Sequence, residues 1–358
     1  MSEVWVLGGT GRSGRAIAAA LRARDLEPVL VGRDQARLIA AADGARTVRA
    51  GTVDEMAAAI RRDGPAVVVN TVGPFARTAE PIARAALAVG AHYLDLANDV
   101  DAASTLLALD DEARRAGSTL VTGAGFGVTA AESVALWLCR DATAPESVRV
   151  DTVPSLALEE GPLGEALAAT LLEGFEGGAA GRHYRDGRLV PVRLAGDLLR
   201  LRLPDGDEVT TVSVPFGDLI AAQRVSGAPN VVAGSSEVPS SPWVRAVIPV
   251  ASVLLRSGRV RRFAIRRLAG VRFSERARPR AHSWAHASAR WADGRVREGW
   301  LRLGDAQEFT GGVPAEIARR LVDGEGAPGA TTPAAMFGTE LAAACGGEFS
   351  DAGVGPVG

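Results

Sequence analysis

The 358-residue sequence contains no lysine, so all 40 of its basic residues are arginine. A catalytic Schiff base, a Walker-type phosphate site and a Tyr-x-x-x-Lys pair each need a lysine ammonium group, and the sequence excludes all three. Only two cysteines occur, Cys139 and Cys345, and neither has the paired spacing of a zinc site or a redox motif. We interpret both as small buried side chains and expect no metal site.

Long hydrophobic runs are also missing. No apolar stretch reaches the ~20 residues that a membrane-spanning helix needs, and the N-terminus carries no basic and apolar leader. Apolar residues make up 47% of the chain, which supplies ample core, and the length fits about two domains. We therefore expect a cytoplasmic protein.

Charge is balanced overall but not locally. The formal net charge is −2, yet residues 243–280 carry eleven arginines against one acidic residue, Glu275. Such a cluster binds phosphate or carboxylate groups, or forms a solvated helix face. The apolar segment 243–255 before it is interpreted as a core helix with a charged end, and a membrane-surface helix or a lid stays open as an alternative. We expect a small-molecule substrate as the partner and no nucleic acid, with contact to a membrane as a less favoured possibility.

Short β-branched runs alternate with alanine-rich stretches from residue 3 to about residue 125, which is typical of parallel strands joined by crossover helices. The predicted strands are Val4–Leu7, Val29–Val31, Thr47–Arg49, Ala66–Asn70, His92–Leu96 and Thr119–Thr122. They predict an α/β fold with a doubly wound parallel sheet. A capping box at Thr52 and Glu55 opens one predicted helix, and Thr78 with Pro81 opens the next.

The composition changes after residue 145 to Gly-, Pro- and Arg-rich segments with longer strands, which predicts a second domain. Segments 281–291 and 295–303 form a predicted hairpin with a tight turn at Asp293 and Gly294. Alternate residues from His282 to Arg290 then share one face. We expect one face of the hairpin to be buried and the other to be wet or to face a substrate.

The stretch VWVLGGTGRSG, residues 4–14, places three glycines at three-residue spacing where the first strand turns into a helix. The first glycine allows the tight turn, the second lets the backbone approach a pyrophosphate, and the third lets the helix pack on the strand. The N–H groups at the helix start then bind the anion. The predicted cofactor contacts in this turn are Gly8, Thr10, Gly11, Arg12, Ser13 and Gly14.

The choice of nucleotide is read at the end of the second strand, where an NAD site usually has an acidic residue for the ribose hydroxyls. Here Arg33 can bind a 2′-phosphate and stack on adenine, which favours NADP although Asp34 follows it. The fourth strand ends in a Gly-Pro loop that is expected to line the nicotinamide half of the site. The predicted contacts of these two loops are Gly32, Arg33, Asp34, Asn70, Val72, Gly73, Pro74 and Phe75.

Candidate proton donors are few because lysine is missing. Asp95 ends the fifth strand at the crevice edge and is the predicted acid near the nicotinamide, with capping of the next loop as the alternative. His92 and Tyr93 begin that strand and are expected in the packing. His183 and Tyr184 fall in a segment predicted to be a loop, which places them over the cofactor or on the surface. An iminium substrate that carries its own proton needs no donor.

Six motifs occur in the order and spacing of one family: GGTGRSG, LVGRD, VVVNTVGPF, HYLDLAND, LVTGAGFGVTAAE and GAPGATTPAAMFGTEL. On these motifs the chain resembles the saccharopine dehydrogenase-like oxidoreductases, including their trans-acting enoyl reductase branch. The resemblance implies an NADP-binding Rossmann domain, a second α/β domain with an open mixed sheet that binds substrate, a C-terminal helix that returns to the first domain, and a homodimer. We assign residues 1–145 to the first domain, 146–312 to the second, 313–345 to the returning segment and 346–358 to a flexible tail.

Two departures from the family concern the substrate. The sequence has Gly127-Val128-Thr129 where members that act on amino-acid conjugates have Asp-Pro-Gly, and Asn98-Asp99 where Gly-Glu is frequent. Saccharopine is therefore not the expected substrate. We expect an NADPH-dependent reductase of a C=N or C=C bond in a specialised or lipid-derived metabolite. The alternative is a regulator or scaffold that binds NADP without turnover.

Overall fold

The computed structural model describes residues 3–140, 143–157, 161–162, 180–238, 257–273 and 277–351. The chain divides into two compact units. Unit 1 comprises Met1–Thr129 and Gln307–Gly346, and unit 2 comprises Ala130–Ala306 and Gly347–Gly358.

The elements up to residue 140 alternate between strand and helix. The strands are β1 (Val4–Leu7), β2 (Pro28–Gly32), β3 (Thr47–Arg49), β4 (Val67–Asn70), β5 (His92–Asp95) and β6 (Thr119–Val121). The helices are α1 (Arg12–Arg22), α2 (Gln35–Ala42), α3 (Val53–Asp63), α4 (Phe75–Leu87), α5 (Val100–Leu107), α6 (Asp110–Ala116) and α7 (Phe126–Cys139).

The later elements are mostly strands. The strands are β7 (Ser147–Val153), β8 (Gly161–Pro162), β9 (Ala180–Arg185), β10 (Arg188–Arg193), β11 (Leu199–Arg202), β12 (Glu208–Ser213), β13 (Asn230–Ser235), β14 (Arg272–Phe273), β15 (Ser283–Arg290), β16 (Val296–Leu303), β17 (Gly329–Thr331) and β18 (Glu348–Asp351). The helices are α8 (Asp218–Ser226), α9 (Gly258–Ala269), α10 (Ala306–Val322), α11 (Pro333–Phe337) and α12 (Glu340–Ala344).

The sheet of unit 1 is parallel and runs in the order β17-β6-β5-β4-β1-β2-β3. The order reverses between β1 and β4, so the carboxyl ends of these strands border a crevice, as in dinucleotide-binding folds. Strands β1 and β4 are buried along their whole length, as expected of a parallel sheet covered on both faces. The predicted doubly wound sheet is confirmed, with β17 as a seventh strand beyond the six predicted.

Helix α10 packs on α1 within unit 1. A Cβ atom at Gly311 would lie 2.9 Å from the Cβ atom of Ala16, so glycine allows the two helices to approach closely. The Nε atom of Arg24 lies 3.1 Å from Oε2 of Glu316 on α10, and Arg319 and Arg320 bond the same carboxylate. The C-terminal segment therefore returns to the first unit.

Two predicted helix starts have different outcomes. The capping box of α3 is confirmed, because the Thr52 hydroxyl accepts from the N–H of Glu55 and the Glu55 carboxylate accepts from the N–H of Thr52. The start of α4 at Thr78 is wrong, because the helix begins at Phe75, directly after Pro74. Proline fits at the boundary of a helix, where its missing N–H costs nothing, and Thr78 instead donates to the carbonyl of Val72.

The sheet of unit 2 is mixed and runs in the order β10-β9-β13-β7-β15-β16-β18, with β12 also paired to β13 and β11 to β12. Strands β13 and β7 are parallel, whereas β15 and β16 form the antiparallel hairpin that the sequence predicts. Its turn has three residues, 292–294, rather than two, because the N–H of Trp291 bonds the carbonyl of Arg295. Gly294 adopts φ +85°, which suits the left-handed position of such a loop.

Both faces of β15 are covered, so the expectation of one wet face is wrong over most of the strand. Ala285, Ala287 and Ala289 are buried on one side, and Trp284 and His286 are buried on the other. Trp284 and Trp300 pack with a cluster from the β11–β12 region that contains Leu201, Leu203 and Val209.

The C-terminal tail also differs from the expectation. Glu348–Asp351 form β18, which pairs antiparallel with β16, and Phe349 stacks on Trp137 at a centroid distance of 5.5 Å. The apolar segment 243–255 lies outside the described residues. Among the helices that the structure describes, none is both long enough and apolar enough to cross a bilayer.

Candidate functional site

The turn after β1 begins with two glycine N–H groups that share one acceptor. Gly8 and Gly9 donate to the carbonyl of Val31 over 2.9 and 3.1 Å, which ties the turn to β2. Gly8 adopts φ +78°, and a Cβ atom there would lie 2.6 Å from Oγ1 of Thr71. Only glycine fits this position without moving its neighbours.

Gly14 is enclosed even more tightly. A Cβ atom on it would lie 2.4 Å from the carbonyl oxygen of Gly8 and 2.8 Å from the Cα atom of Gly9, both of them backbone atoms. Gly11 is different, because its only neighbour within 4 Å of such an atom is the Gly8 oxygen at 3.2 Å. The turn is therefore closed at Gly8 and Gly14 and open at Gly11, which is the position assigned to approach a pyrophosphate.

Helix α1 begins with no side chain to cap it. Its N-cap residue is Gly11, so no side-chain oxygen accepts from the N–H groups of the first turn. Those groups have no partner within a helix, and together with the helix dipole they form a site for an anion. Thr10, Arg12 and Ser13 lie partly exposed beside this helix start. The residues fit the pyrophosphate of a dinucleotide.

The end of β2 separates the roles of two adjacent charged residues. Asp34 is the N-cap of α2, and its Oδ1 atom accepts from the N–H of Arg37 over 3.1 Å. Arg33 is exposed, and its guanidinium forms no hydrogen bond or ion pair with any residue that the structure describes. Because the carboxylate is used in capping, the cationic group after the buried Gly32 is the one available to a ligand.

The loop after β4 is fixed by its own polar groups. The Oδ1 atom of Asn70 accepts from the N–H of Val72 over 3.0 Å, and the Thr71 hydroxyl donates to the carbonyl of Leu7 over 2.7 Å. The Gly73–Pro74 peptide bond is cis, and α4 follows at Phe75. These bonds hold the loop beside the glycine turn of the same sheet edge.

A buried polar network joins the ends of β4, β5 and β6. The Nδ2 atom of Asn70 donates to the hydroxyl of Tyr93 over 3.1 Å, and this hydroxyl donates to Oδ2 of Asp95 over 3.0 Å. The other Asp95 oxygen accepts from the Thr122 hydroxyl and from the N–H groups of Ala97 and Gly123, at 2.9 to 3.1 Å. Asp95 has no exposed surface.

The surroundings of Asp95 consist of neutral donors. Burial raises the pKa of Asp95 to about 6, although the four hydrogen bonds oppose this rise. Burial and the neighbouring Asp95 carboxylate raise the pKa of Tyr93 well above its usual value. Both oxygens of Asp95 are therefore used inside the unit, which fits a residue that positions three strand ends.

Tyr93 is the residue that sequence reasoning assigned only to packing. Its ring is in the core, but its hydroxyl is the central member of this network. Residues two apart on a strand point to the same face, so the spacing of Tyr93 and Asp95 already carried the signal. The pairing of Asn70 with Asp95 in adjacent strands brings the third side chain to the same edge.

His183 and Tyr184 lie in strand β9, so their assignment to a loop is wrong. The strand pairs with β10 through six residues and with β13 at Val231, which fixes its register. Successive residues of a strand point to opposite faces, so the two side chains leave the sheet on opposite sides. His183 is 3% exposed, and its Nε2 atom lies 3.4 Å from Oδ2 of Asp197 without a hydrogen bond.

A second buried carboxylate, Asp151 on β7, is surrounded by charge. Arg149 donates to both of its oxygens over 2.9 Å, and the Thr211 hydroxyl donates over 2.6 Å. The Nδ1 atom of His286 lies 3.5 Å away, and the Nε2 atom of the same ring lies 2.6 Å from Glu298. Burial alone would raise the pKa of Asp151, but its cationic partners lower it overall.

Asp218, in the first turn of α8, has neither the neutral donors of Asp95 nor the cationic partners of Asp151 among the described residues. It is fully buried, and neither of its oxygens forms a hydrogen bond with the residues that the structure describes. Burial, with a contribution from the charge of Glu237, raises its pKa to about 7. Sequence reasoning missed both this residue and the Asp151 cluster, because their surroundings depend on contacts between distant strands.

No group of three or more His, Cys, Asp or Glu residues within the described ranges could hold a metal ion. The two cysteines are half-buried and not joined, and burial raises the pKa of each thiol to about 11.

Comparisons with known proteins agree with this fold. The chain resembles the structure of apo histidine-tagged saccharopine dehydrogenase (L-Glu forming) from Saccharomyces cerevisiae, with a TM-score of 0.61 and 14% identity over 98% of this chain and 100% of that one. It also resembles homospermidine synthase from Legionella pneumophila, solved in complex with NAD, with a TM-score of 0.59 and 10% identity over 99% and 94% of the two chains. No curated protein sequence matches the chain.

Residues 4–121, which contain β1 to β6, match the family described as the saccharopine dehydrogenase NADP binding domain. The matched range contains the glycine turn, the start of α1 and Arg33, which are the features assigned above to the dinucleotide. Residues 4–121 are therefore similar to a saccharopine dehydrogenase NADP binding domain, and the fold of the chain is similar to that of saccharopine dehydrogenase.

Proposed function

We propose that the protein is an NADPH-dependent reductase that acts on a C=N or C=C bond of a specialised or lipid-derived metabolite. The observation that carries the proposal is the turn of residues 8–14 in a domain of the NADP-binding family, where glycine alone fits at Gly8 and Gly14. When bound, the nicotinamide supplies the hydride. The substrate class rests on the resemblance to a family that includes an enoyl reductase branch and on the two departures from the family pattern, at Gly127-Val128-Thr129 and Asn98-Asp99.

In this proposal the first-turn N–H groups of α1 bind the pyrophosphate, and Arg33 binds the 2′-phosphate of NADP. A guanidinium offers two parallel N–H donors to a phosphate, so it discriminates strongly in favour of the phosphorylated ribose. The loop from Asn70 to Phe75 borders the nicotinamide half. The buried network of Asn70, Tyr93 and Asp95 stabilises that loop, because Asn70 also bonds the N–H of Val72.

Asp95 is then a positioning residue rather than an acid that touches substrate. A general acid must come within hydrogen-bond reach of the proton acceptor, and no part of this carboxyl is exposed. His183 and Tyr184 are adjacent in β9, so their side chains leave opposite faces of the sheet. An iminium substrate that arrives protonated requires orientation alone, so the scarcity of donors favours reduction of a C=N bond.

The nucleotide half is tested by calorimetric titration of the purified protein with NADPH and NADH. We expect NADPH to bind at least about tenfold more tightly, and Arg33→Ala to remove this preference while affinity for NADH stays unchanged. Arg37→Ala, on the exposed surface of the neighbouring α2, is the matched control. Equal affinities for the two nucleotides, or an equal loss of both in Arg33→Ala, would contradict the proposal.

The reductase half is tested by NADPH oxidation with a panel of cyclic imines and enoyl thioesters. Turnover of an imine supports C=N reduction, and turnover of an enoyl compound supports C=C reduction. Tight NADPH binding without turnover of any member favours the regulator or scaffold. We further propose a cytoplasmic homodimer, as the resemblance implies, and light scattering after gel filtration measures its mass.

A further inference from the structure

Helix α9, Gly258–Ala269, is strongly basic. The segment 257–273 contains six arginines and no acidic residue. Four of these arginines, at positions 259, 262, 266 and 267, are exposed. Within the part of the chain that the structure describes, none of these four guanidinium groups forms an ion pair or a hydrogen bond. The helix therefore presents a concentrated positive charge to its surroundings.

The same outer face carries exposed apolar side chains. Phe263 is 66% exposed and Val260 is 40% exposed, and residues three apart on a helix are neighbours on its surface. Ala264, Ile265 and Leu268 are partly buried and form the inner face. If the outer face of this helix only exposed its charges to water, its large apolar side chains would lie on the inner face. The exposed phenyl ring of Phe263 between arginines instead favours an apolar contact.

An anionic lipid surface supplies both kinds of contact at once. Acyl chains just below the headgroups take up aromatic and aliphatic side chains, while the lipid phosphates pair with the arginines around them. The phosphate backbone of a nucleic acid would satisfy the arginines but not Phe263. The helix has twelve residues and is about 18 Å long, so it suits an orientation in the plane of the surface.

We propose that α9 docks this protein reversibly on anionic lipid surfaces, with Phe263 and Val260 inserted between the headgroups and the four arginines bound to lipid phosphates. The site is separate from the nucleotide-binding turn, and its function does not depend on the reaction proposed above.

The test uses the full chain and sedimentation with two kinds of vesicles, pure phosphatidylcholine and a mixture of phosphatidylcholine with phosphatidylglycerol. We expect binding to the mixed vesicles only, with a loss of roughly tenfold or more when the salt is raised from 0.1 to 0.5 M. Absence of binding to the mixed vesicles, or equal binding to both kinds, would overturn the proposal.

Two variants separate the two contributions. Phe263→Ser is expected to weaken binding several-fold, and replacement of the four arginines by glutamine is expected to abolish it. Ile39→Ser is the control for the first, because Ile39 is a similarly exposed residue of α2 at 62%. The control for the second is glutamine at four exposed strand arginines, Arg188, Arg193, Arg200 and Arg202.

All substituted side chains are exposed, so the thermal midpoint and the NADPH affinity are expected to stay unchanged. Binding that needs the arginines but is unchanged in Phe263→Ser would reveal a polycation contact of the kind that nucleic acid also makes, and would overturn the insertion proposed here. An equal loss in the control variants would do the same. A protein that binds vesicles but not NADPH would refute only the proposed reductase.

Discussion

Asp95 in unit 1 and Asp151 in unit 2 are both fully buried, yet their surroundings differ in kind. Asp95 accepts only from hydroxyl and amide groups, and its pKa rises to about 6. Asp151 faces Arg149 and His286, and its pKa falls below the usual value. The neutral donors of Asp95 thus offset only part of the pKa rise that burial causes, whereas the charged partners of Asp151 more than offset it.

The difference matches the positions of the two residues. Asp95 lies where three strands end beside the loops assigned to the dinucleotide, and its hydrogen bonds come from uncharged hydroxyl and amide groups. Asp151 lies in the middle of the mixed sheet, where a hydrogen bond from Thr211 joins β7 to β12 and an ion pair with His286 joins β7 to β15. Asp218 is the third case, since it has no partner among the described residues.

The largest expected loss of stability is that of Asp151→Ala. The substitution leaves the fully buried His286 and the partly buried Arg149 without the anion that they share. This loss is expected to lower the free energy of unfolding by about 3 kcal/mol or more. Urea unfolding at pH 7 measures this loss. Asp197→Asn is the control, because the Asp197 side chain is 53% exposed and asparagine tolerates its φ of +40°, and it is expected to cost less than about 0.5 kcal/mol. Similar losses in the two variants would show that the charged cluster contributes little.

Asp218→Asn is expected to stabilise the protein, and only above acidic pH. A buried acid whose folded pKa is raised to about 7 destabilises the native state progressively as pH rises from about 4 to 7. Asparagine does not ionise, so the variant gains up to about 4 kcal/mol at pH 8 and little at pH 4.5. Urea unfolding at the two pH values measures the difference. A variant that is destabilised equally at both would mean that a bound partner satisfies the carboxylate.

Tyr93→Phe tests the neutral network with a smaller effect. The substitution removes the donor of one Asp95 oxygen and the acceptor of the Asn70 amide, which costs about 1 to 2 kcal/mol. The pKa of Asp95 then rises further, so the loss is larger at pH 8 than at pH 5. Unfolding at these two pH values checks the sign. Thr78→Val, which removes an α4 hydroxyl that bonds the carbonyl of Val72 and does not contact Asp95, is the control and is expected to show no such dependence on pH.

Much of unit 1 could be predicted from the sequence because its determinants are local. The apolar runs predicted the strands to within a residue or two. At Gly14 the turn itself leaves no room, because a Cβ atom would lie 2.4 Å from the Gly8 oxygen, whereas at Gly8 the 2.6 Å approach is to Thr71 of the neighbouring loop. The capping box needed only Thr52 and Glu55. The predicted start of α4 was wrong because Thr78 and Pro81 also resemble a helix start, whereas the helix begins directly after Pro74.

Unit 2 was harder to predict because its polar groups find partners far along the chain. Asp151 bonds Thr211 and His286, 60 and 135 residues away. His183 and Tyr184 were assigned to a loop because glycine and arginine surround them, and the pairing with β10 and β13 overrides that local preference.

The smallest expected effect, Glu298→Gln, separates the two acids that face His286. Burial lowers the pKa of His286, but Asp151 and Glu298 raise it overall. The protonated imidazole therefore stabilises the folded protein at low pH, and this contribution is lost as pH rises through the raised pKa. Because the Glu298 side chain is 46% exposed, solvent screens it, and the substitution is expected to cost less than about 1 kcal/mol below pH 6 and nothing at pH 9. Titration of the imidazole by NMR is the sensitive measurement, with a lower pKa expected in the variant. Glu348→Gln, at the 67% exposed partner of Arg302, is the control. An unchanged imidazole pKa would assign the proton to Asp151 alone, and the contrast between the charged network of unit 2 and the neutral network of unit 1 would then rest on the buried aspartate and its arginine.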